Sequence, residues 1–481
     1  MNPWLLALLA VTALRLAVAA LVPLAPDEAY YWVWSRTLQP GYLDHPPMVA
    51  LFIHAGTLLA GEGALGIRLM GPLSMALASL AVARAAEDLA PGRNAGPWAA
   101  LLLNATLLFG VGGILMTPDL PLLVFWCIAL WACGRLVATG DGRWWLAIGA
   151  ACGLALLSKY TAVLFGLGLV LWLVASRPAW RWWATPWPYA GGALAVLVFA
   201  PVVAWNAAHG WASFAKQGGR AGAESGGFTL RWVGELVASQ VGLATPVIFA
   251  LCVAGTAGAV VAWRRRGESG AALLAALVLP GTALFLWQAL GSRVQGNWPA
   301  MLYPAACIAA AAYSPPRLWR WRRAGVGLAA VLTLAVYVQA AFAPLALPRR
   351  QDATLARLGG WDALAADAEA ARLRHGATFL AAEEYGLAAQ LALRVPAGVP
   401  VVAMDARWAL FNLPPPPEAV TGLLVRSERR GDGPPLWPGA EATGEVLVRA
   451  RRGVEAERYR LHRVQSGPGQ PPAALLPQPG G

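Results

Sequence analysis

Residues 144–172 read WWLAIGAACGLALLSKYTAVLFGLGLVLW, and Lys159 is the only charge among them. A hydrocarbon core of roughly 30 Å takes about 20 apolar residues in helix. The stretch is therefore long enough to complete one membrane span and begin another, with Ser158-Lys159-Tyr160 at the turn. The chain around it has the same character: of 481 residues 58% are hydrophobic and 13% charged, a balance outside that of soluble domains. About eleven spans are expected, within a range of nine to thirteen. They begin near Trp4, Ala64, Gly96, Pro118, Trp144, Tyr160, Tyr189, Gln240, Gly270, Trp298 and Ala324. The first is read as an uncleaved helix, because no basic residue precedes it.

The net charge is +12, and Lys159 and Lys216 are the only lysines among 37 basic residues. Arginines cluster at Arg264, Arg265 and Arg266 and again at Arg317, Arg320, Arg322 and Arg323. Short loops rich in Lys and Arg stay cytoplasmic. Counting spans from either cluster puts the loop 26–47, the turn at Asp119, the Lys159 turn, the loop 206–232, the Arg293 loop and everything after residue 348 on the opposite, periplasm-like face. The basic residues are explained by orientation, and no basic soluble face points to nucleic acid. Cys127, Cys133, Cys152, Cys252 and Cys307 lie in apolar stretches without metal-ligand spacing and read as buried thiols.

From Arg349 the long apolar runs stop. A helical pattern at 352–375, short apolar runs at 377–381, 399–404, 423–426 and 446–448, and a helical pattern at 383–393 predict a small soluble α/β domain. The expected organisation is a transmembrane domain over 1–346, a periplasmic α/β domain over 347–465, and a disordered Pro/Gly-rich tail over 466–481.

Carboxylates near the hydrocarbon are costly and need a partner, a cavity or a function. Pro26-Asp27-Glu28-Ala29-Tyr30-Tyr31-Trp32 follows the first span directly. Carboxylates beside the Tyr30 and Tyr31 rings suit a sugar, and an ionised Asp27 can act as general base; the competing reading is an aromatic belt with an acidic helix cap. Asp44-His45-Pro46-Pro47 offers His45 as a cation toward phosphate or as one half of a structural pair with Asp44. Asp119 stands where it can cap a helix. Lys159 must snorkel or meet an anion, and an anionic ligand is the preferred reading. Arg220, Arg293, Asn297 and Trp298 sit in the same set of outer loops and could join Lys159 and His45 around a charged headgroup.

The ordered series Asp27-Glu28-Ala-Tyr-Tyr-Trp, Asp44-His-Pro-Pro, Thr117-Pro-Asp, Ser158-Lys-Tyr and Asn297-Trp-Pro resembles the family 39-like membrane glycosyltransferases, which include protein O-mannosyltransferases and lipid A aminoarabinose transferases. The resemblance implies a GT-C fold and transfer of a sugar from a polyprenyl-phosphate carrier to a lipid (lipid A, another glycolipid) or a protein hydroxyl on the non-cytoplasmic face; the high Ala and Arg content makes a bacterial inner membrane, with the site on its periplasmic side, the expected location. It matches Asp27 to a catalytic acid of the first outer loop, Asp119 to a second carboxylate, Lys159 to a lysine on the carrier phosphate, and Arg220 to an arginine there. His45 departs from the lysine common in aminoarabinose enzymes, which leaves the sugar open. Direct displacement would invert the anomeric centre, whereas a retaining route would need Glu28 as nucleophile. No cofactor is required, although Asp27 with Asp119 could hold a divalent metal. A lipid-linked-sugar flippase or other transporter is the alternative from another class; it would place its polar groups near the bilayer midplane.

Overall fold

The computed structural model describes residues 3–222, 227–416, 418–431, 433–467 and 473–479. The protein is an integral membrane protein, predominantly helical, with a small C-terminal sheet domain. Among the described residues, seven helices are long and apolar enough to cross a membrane, and up to nine if each of two bent pairs is one span. The expected eleven are thus not all full spans. Trp144–Leu156 has 13 residues and Tyr303–Tyr313 has 11; at 1.5 Å per residue both fall short of the hydrocarbon thickness. The bends have local causes. Gly96–Ala105 turns by 76° into Leu107–Ile114 where Thr106 leaves the helix and its side chain caps Phe109 N.

The chain divides into two compact units. One comprises residues 1–16, 44–49 and 70–334. Its helices approach closely through glycine: a Cβ on Gly149 would stand 2.0 Å from the Gly191 carbonyl oxygen, and one on Gly191 would stand 2.3 Å from that of Trp145. Such contacts favour helix association in lipid, where burial against tails gives no driving force. Val196, Leu197 and Val331 remain exposed on these spans, as lipid-facing side chains do. Cys127, Cys133, Cys252 and Cys307 are buried free thiols and Cys152 is half-buried.

The second unit comprises residues 17–43, 50–69 and 335–481, so two early segments join the C-terminal region rather than lying within a contiguous 1–346 domain. It holds a six-stranded sheet of β1 (Phe379–Ala382), β2 (Val401–Met404), β3 (Thr421–Ser427), β4 (Glu441–Arg451), β5 (Val454–Gln465) and β6 (Ala473–Leu475) in the order β4-β5-β3-β1-β2-β6. β1 pairs in parallel with β2 (Leu380↔Val401) and with β3 (Leu380↔Leu423). The helix Tyr385–Ala392 makes the crossover that parallel pairing requires. β5 runs antiparallel to β3 and β4. Phe379, Ala381, Val402, Met404, Leu424, Trp437 and Val464 form the sheet's core. The tail expected to be disordered supplies β6, antiparallel to β2 with Ala403↔Ala474. Its apolar Ala473–Leu476 run covers an edge that would otherwise stay open.

Candidate active site

Within the second unit the first span ends at Leu21, and the helix Pro26–Arg36 begins five residues later. One ion pair ties the two together. Arg68 and Glu28 are fully buried; Arg68 Nε donates to Glu28 Oε1 at 2.6 Å and Nη2 to Oε2 at 2.5 Å. The same guanidinium donates to the carbonyls of Ala19 (3.2 Å), Val22 (2.5 Å) and Pro23 (2.9 Å). Glu28 Oε2 also accepts from Ala25 N at 2.9 Å, as a helix-capping carboxylate does. A carboxylate enclosed in this way has no open approach for an anomeric carbon, so Glu28 is corrected from candidate nucleophile to the clamp that orients its neighbour.

That neighbour, Asp27, is half-buried, and its Oδ1 accepts from the Tyr385 hydroxyl at 3.0 Å. It lines a cleft of about 350 Å³ whose other polar walls are Arg349, Arg357, Arg429, Arg449, Glu384, Tyr385 and Glu457. The cleft reaches Glu384 and Tyr385, just beyond the carboxyl end of β1. β1 has β2 on one side and β3 on the other, the switch point where open α/β sheets bind ligands. Gly386 permits the approach: a Cβ there would stand 2.7 Å from the Pro26 side chain. Tyr459 lies on the cleft wall; burial raises its pKa above the ordinary phenol value, against the lowering effect of Arg449, and keeps the hydroxyl neutral.

Tyr30 and Tyr31 do not form an open sugar platform. They are 2% and 7% exposed, and Tyr30 packs against Tyr385 at 4.5 Å, Trp34 at 5.1 Å and Trp408 at 5.5 Å between ring centroids. Arg407 stands 4.2 Å over the Tyr385 ring. These rings fix the hydroxyl that meets Asp27.

In the first unit a second polar group forms at the ends of spans. Lys159 Nζ donates to Asp119 Oδ1 at 2.7 Å, and Asn297 Nδ2 to Asp119 Oδ2 at 3.0 Å. Three residues far apart in sequence are thereby brought together. Lys159 is 9% exposed, and the carboxylate supplies the anion its position demanded. Asp44 is paired with Lys216 at 2.7 Å, and its carbonyl accepts from Gln217 at 2.5 Å; it is thus held in place by the helix Ala212–Gly222. His45 is half-buried beside it. The side chain of Arg220 lies outside the described residues. Arg293 is paired with Glu235 on an exposed surface, and Trp298 opens the short turn before Tyr303–Tyr313. Among the described residues no three His, Cys, Asp or Glu side chains gather as a metal-binding group would.

Sequence reading did not find Arg68, Tyr385 or the four arginines of the cleft. Arg68 carried a usable signal, an arginine directly before the long apolar stretch from Leu69 that needs a buried anion. Tyr385 and the arginines lie in the C-terminal region, where charge is common and position says little.

Residues 44–205 match the profile of the dolichyl-phosphate-mannose-protein mannosyltransferase family. A lipid A galacturonosyltransferase, RgtD from Rhizobium johnstonii, is 32% identical over 293 residues, 59% of each chain; the present chain thus spans about three-fifths of that relative's length. The fold is shared with crystal structures of ArnT from Cupriavidus metallidurans. The form bound to undecaprenyl phosphate superposes with a TM-score of 0.61 at 17% identity, covering 95% of this chain and 98% of the other. The apo form gives 0.59 at 17% identity, with 95% and 97% coverage. The resemblance read from the ordered motifs is thereby borne out as a likeness to GT-C glycosyltransferases.

Proposed function

We propose that the protein is a glycosyltransferase that moves a sugar from a polyprenyl-phosphate carrier to a hydroxyl of a lipid acceptor, lipid A first among them, on the periplasmic face of the inner membrane. The observation that carries this reading is Asp27, a half-buried carboxylate held six residues beyond a membrane span, hydrogen-bonded to Tyr385 and open to an arginine-lined cleft. The relative's activity on lipid A supports the acceptor, and the carrier bound in a structure of the same fold supports the donor.

In the proposed reaction Asp27 accepts the proton of the acceptor hydroxyl as that oxygen bonds to the anomeric carbon. The bond from that carbon to the phosphate oxygen breaks, and the carrier leaves as a phosphate monoester anion. A single displacement inverts the centre, and with Glu28 enclosed by Arg68 no second carboxylate on that helix is placed for retention. Lys159, steadied by Asp119, is proposed as the cation for the carrier phosphate, with Arg220 as a second. Because basic side chains neutralise the leaving group, the reaction is proposed to need no metal, and transfer should persist in a chelator.

The test is transfer from a polyprenyl-phosphate sugar to lipid A by the purified protein in lipid nanodiscs. Asp27→Asn should lower kcat by about 10²-fold or more at unchanged protein level. Undiminished turnover would remove Asp27 from the chemistry, and a protein-linked product would redirect the acceptor.

A further inference from the structure

We propose that Arg349 and Arg357 form a subsite for the carboxylate of the transferred sugar, so that the donor carries an acidic sugar, a uronate. This rests on the glycosyltransferase reading above and names its substrate class.

The cleft beside Asp27 has more cation than its own anions engage. Four guanidiniums meet three carboxylates: Asp27, Glu384 and Glu457. Arg449 and Arg429 both turn to Glu457, at 3.3 and 3.8 Å. Arg449 directs its remaining N–H groups to the carbonyls of Leu355, Ala356 and Gly359 and to the Tyr459 hydroxyl. Arg349 and Arg357 have no carboxylate partner among the described residues, and the buried Arg349 Nε has no acceptor there. A buried guanidinium N–H without an acceptor is unfavourable unless a ligand supplies one.

Arg357 is also held in place. It ends the helix Ala353–Arg357, which Asp352 caps at its start through Thr354 N and Leu355 N. Arg449 binds carbonyls at its end, and the Arg357 carbonyl accepts from Trp361 Nε1 at 3.0 Å. A rigid backbone carrying an exposed guanidinium is a binding arrangement rather than a loose surface charge. The volume of about 350 Å³ falls at the small end of small-molecule sites, suited to a sugar and not to an acyl chain. A neutral hexose would leave both cations unmatched. A C6 carboxylate presents two oxygens to a planar fork of donors, and the two arginines offset its repulsion from Asp27.

The experiment compares two donors on one carrier, polyprenyl-phosphate galacturonate and polyprenyl-phosphate galactose, which differ only at C6. Both are given to the full-length protein in nanodiscs with lipid A, with and without its phosphates. The wild-type protein is expected to favour the uronate. Arg349→Ala and Arg357→Ala should each lower kcat/KM for the uronate by about 10- to 150-fold, the range a hydrogen bond to a charged group commands, and bring the two donors toward parity. Arg357→Lys should recover part of the preference, since it keeps the charge but loses the fork. Melting temperature and membrane level establish that each variant folds. A uronate-to-galactose ratio unchanged in the folded alanine variants overturns the inference. So does a loss that depends on acceptor phosphate instead of C6, or a wild type that transfers galactose and refuses galacturonate. Transfer of neither sugar by the wild type would instead sink the glycosyltransferase reading itself.

Discussion

Removing one partner of the Glu28–Arg68 pair should unfold the entry to the site before it touches the chemistry. All five N–H groups of Arg68 are used, two on Glu28 and three on the carbonyls of Ala19, Val22 and Pro23, and both side chains are fully buried. Glu28→Ala leaves that guanidinium enclosed without its anion and frees Ala25 N as well. Breaking a buried pair from one side costs about 3–5 kcal/mol, and a lost helix cap adds roughly 1 kcal/mol. For a unit of this size that corresponds to a fall in Tm on the order of 10 °C. The assay is thermal melting of the detergent-solubilised protein, run in parallel with transfer measured well below the melting point. Glu28→Ala and Arg68→Ala should each lower Tm, and the double variant Glu28→Met/Arg68→Met should recover a good part of the loss, because replacing both charges removes the desolvation penalty. If Glu28→Gln melts like the wild type yet loses transfer, Glu28 acts in the reaction and the clamp is the wrong account.

Lys159→Ala strips the half-buried Asp119 carboxylate of its cation and should raise the donor KM at least tenfold by a charge-assisted contact; an unchanged donor KM refutes the phosphate role. Gly386→Ala places a Cβ 2.7 Å from Pro26, so overpacking of about 1–3 kcal/mol should lower both Tm and turnover. Asp352 is a pH probe. Burial raises its pKa, but hydrogen bonds from Thr354, Gln339 and Leu355 and the charge of Arg451 outweigh this and hold it below the ordinary carboxylate value. Its contribution to stability is therefore complete above the unfolded value, about 3.9, and is lost as pH falls through the lower folded value. Tm measured from pH 3 to 6 should decline at the acid end, less so in Asp352→Asn, and an identical slope in the two proteins removes Asp352 as the cause.

What the sequence disclosed and what it hid follow from how each residue meets water and lipid. The membrane spans were legible because a hydrocarbon core imposes length and composition at once. Where a segment is short, as at Trp144–Leu156, composition alone cannot tell a span from a packed core helix. β1, β2 and β3 announced themselves as apolar runs, since strands buried on both faces lose their alternation. β5 did not: its residues Glu455, Glu457, Arg458, Arg460 and Arg463 place a charge at nearly every other position, and only its pairing with β3 and β4 shows that the intervening residues face inward. Asp27, Asp119 and Lys159 stood out because ionisable groups are rare beside long apolar runs. Glu28 stood out for the same reason and was assigned chemistry, because scarcity marks a charge that needs a partner without naming the partner. For Lys159 that partner is an aspartate 40 residues away, and for Glu28 an arginine at the same separation. The difference between them lies in enclosure: Glu28 is sealed, whereas Asp119 keeps a fifth of its side chain open. A partner that closes off both oxygens makes a structural clamp, and one that leaves a face open leaves room for a ligand. By that criterion Asp27, half-buried and with the Tyr385 hydroxyl donating to Oδ1, is the carboxylate of the three best placed to accept a proton.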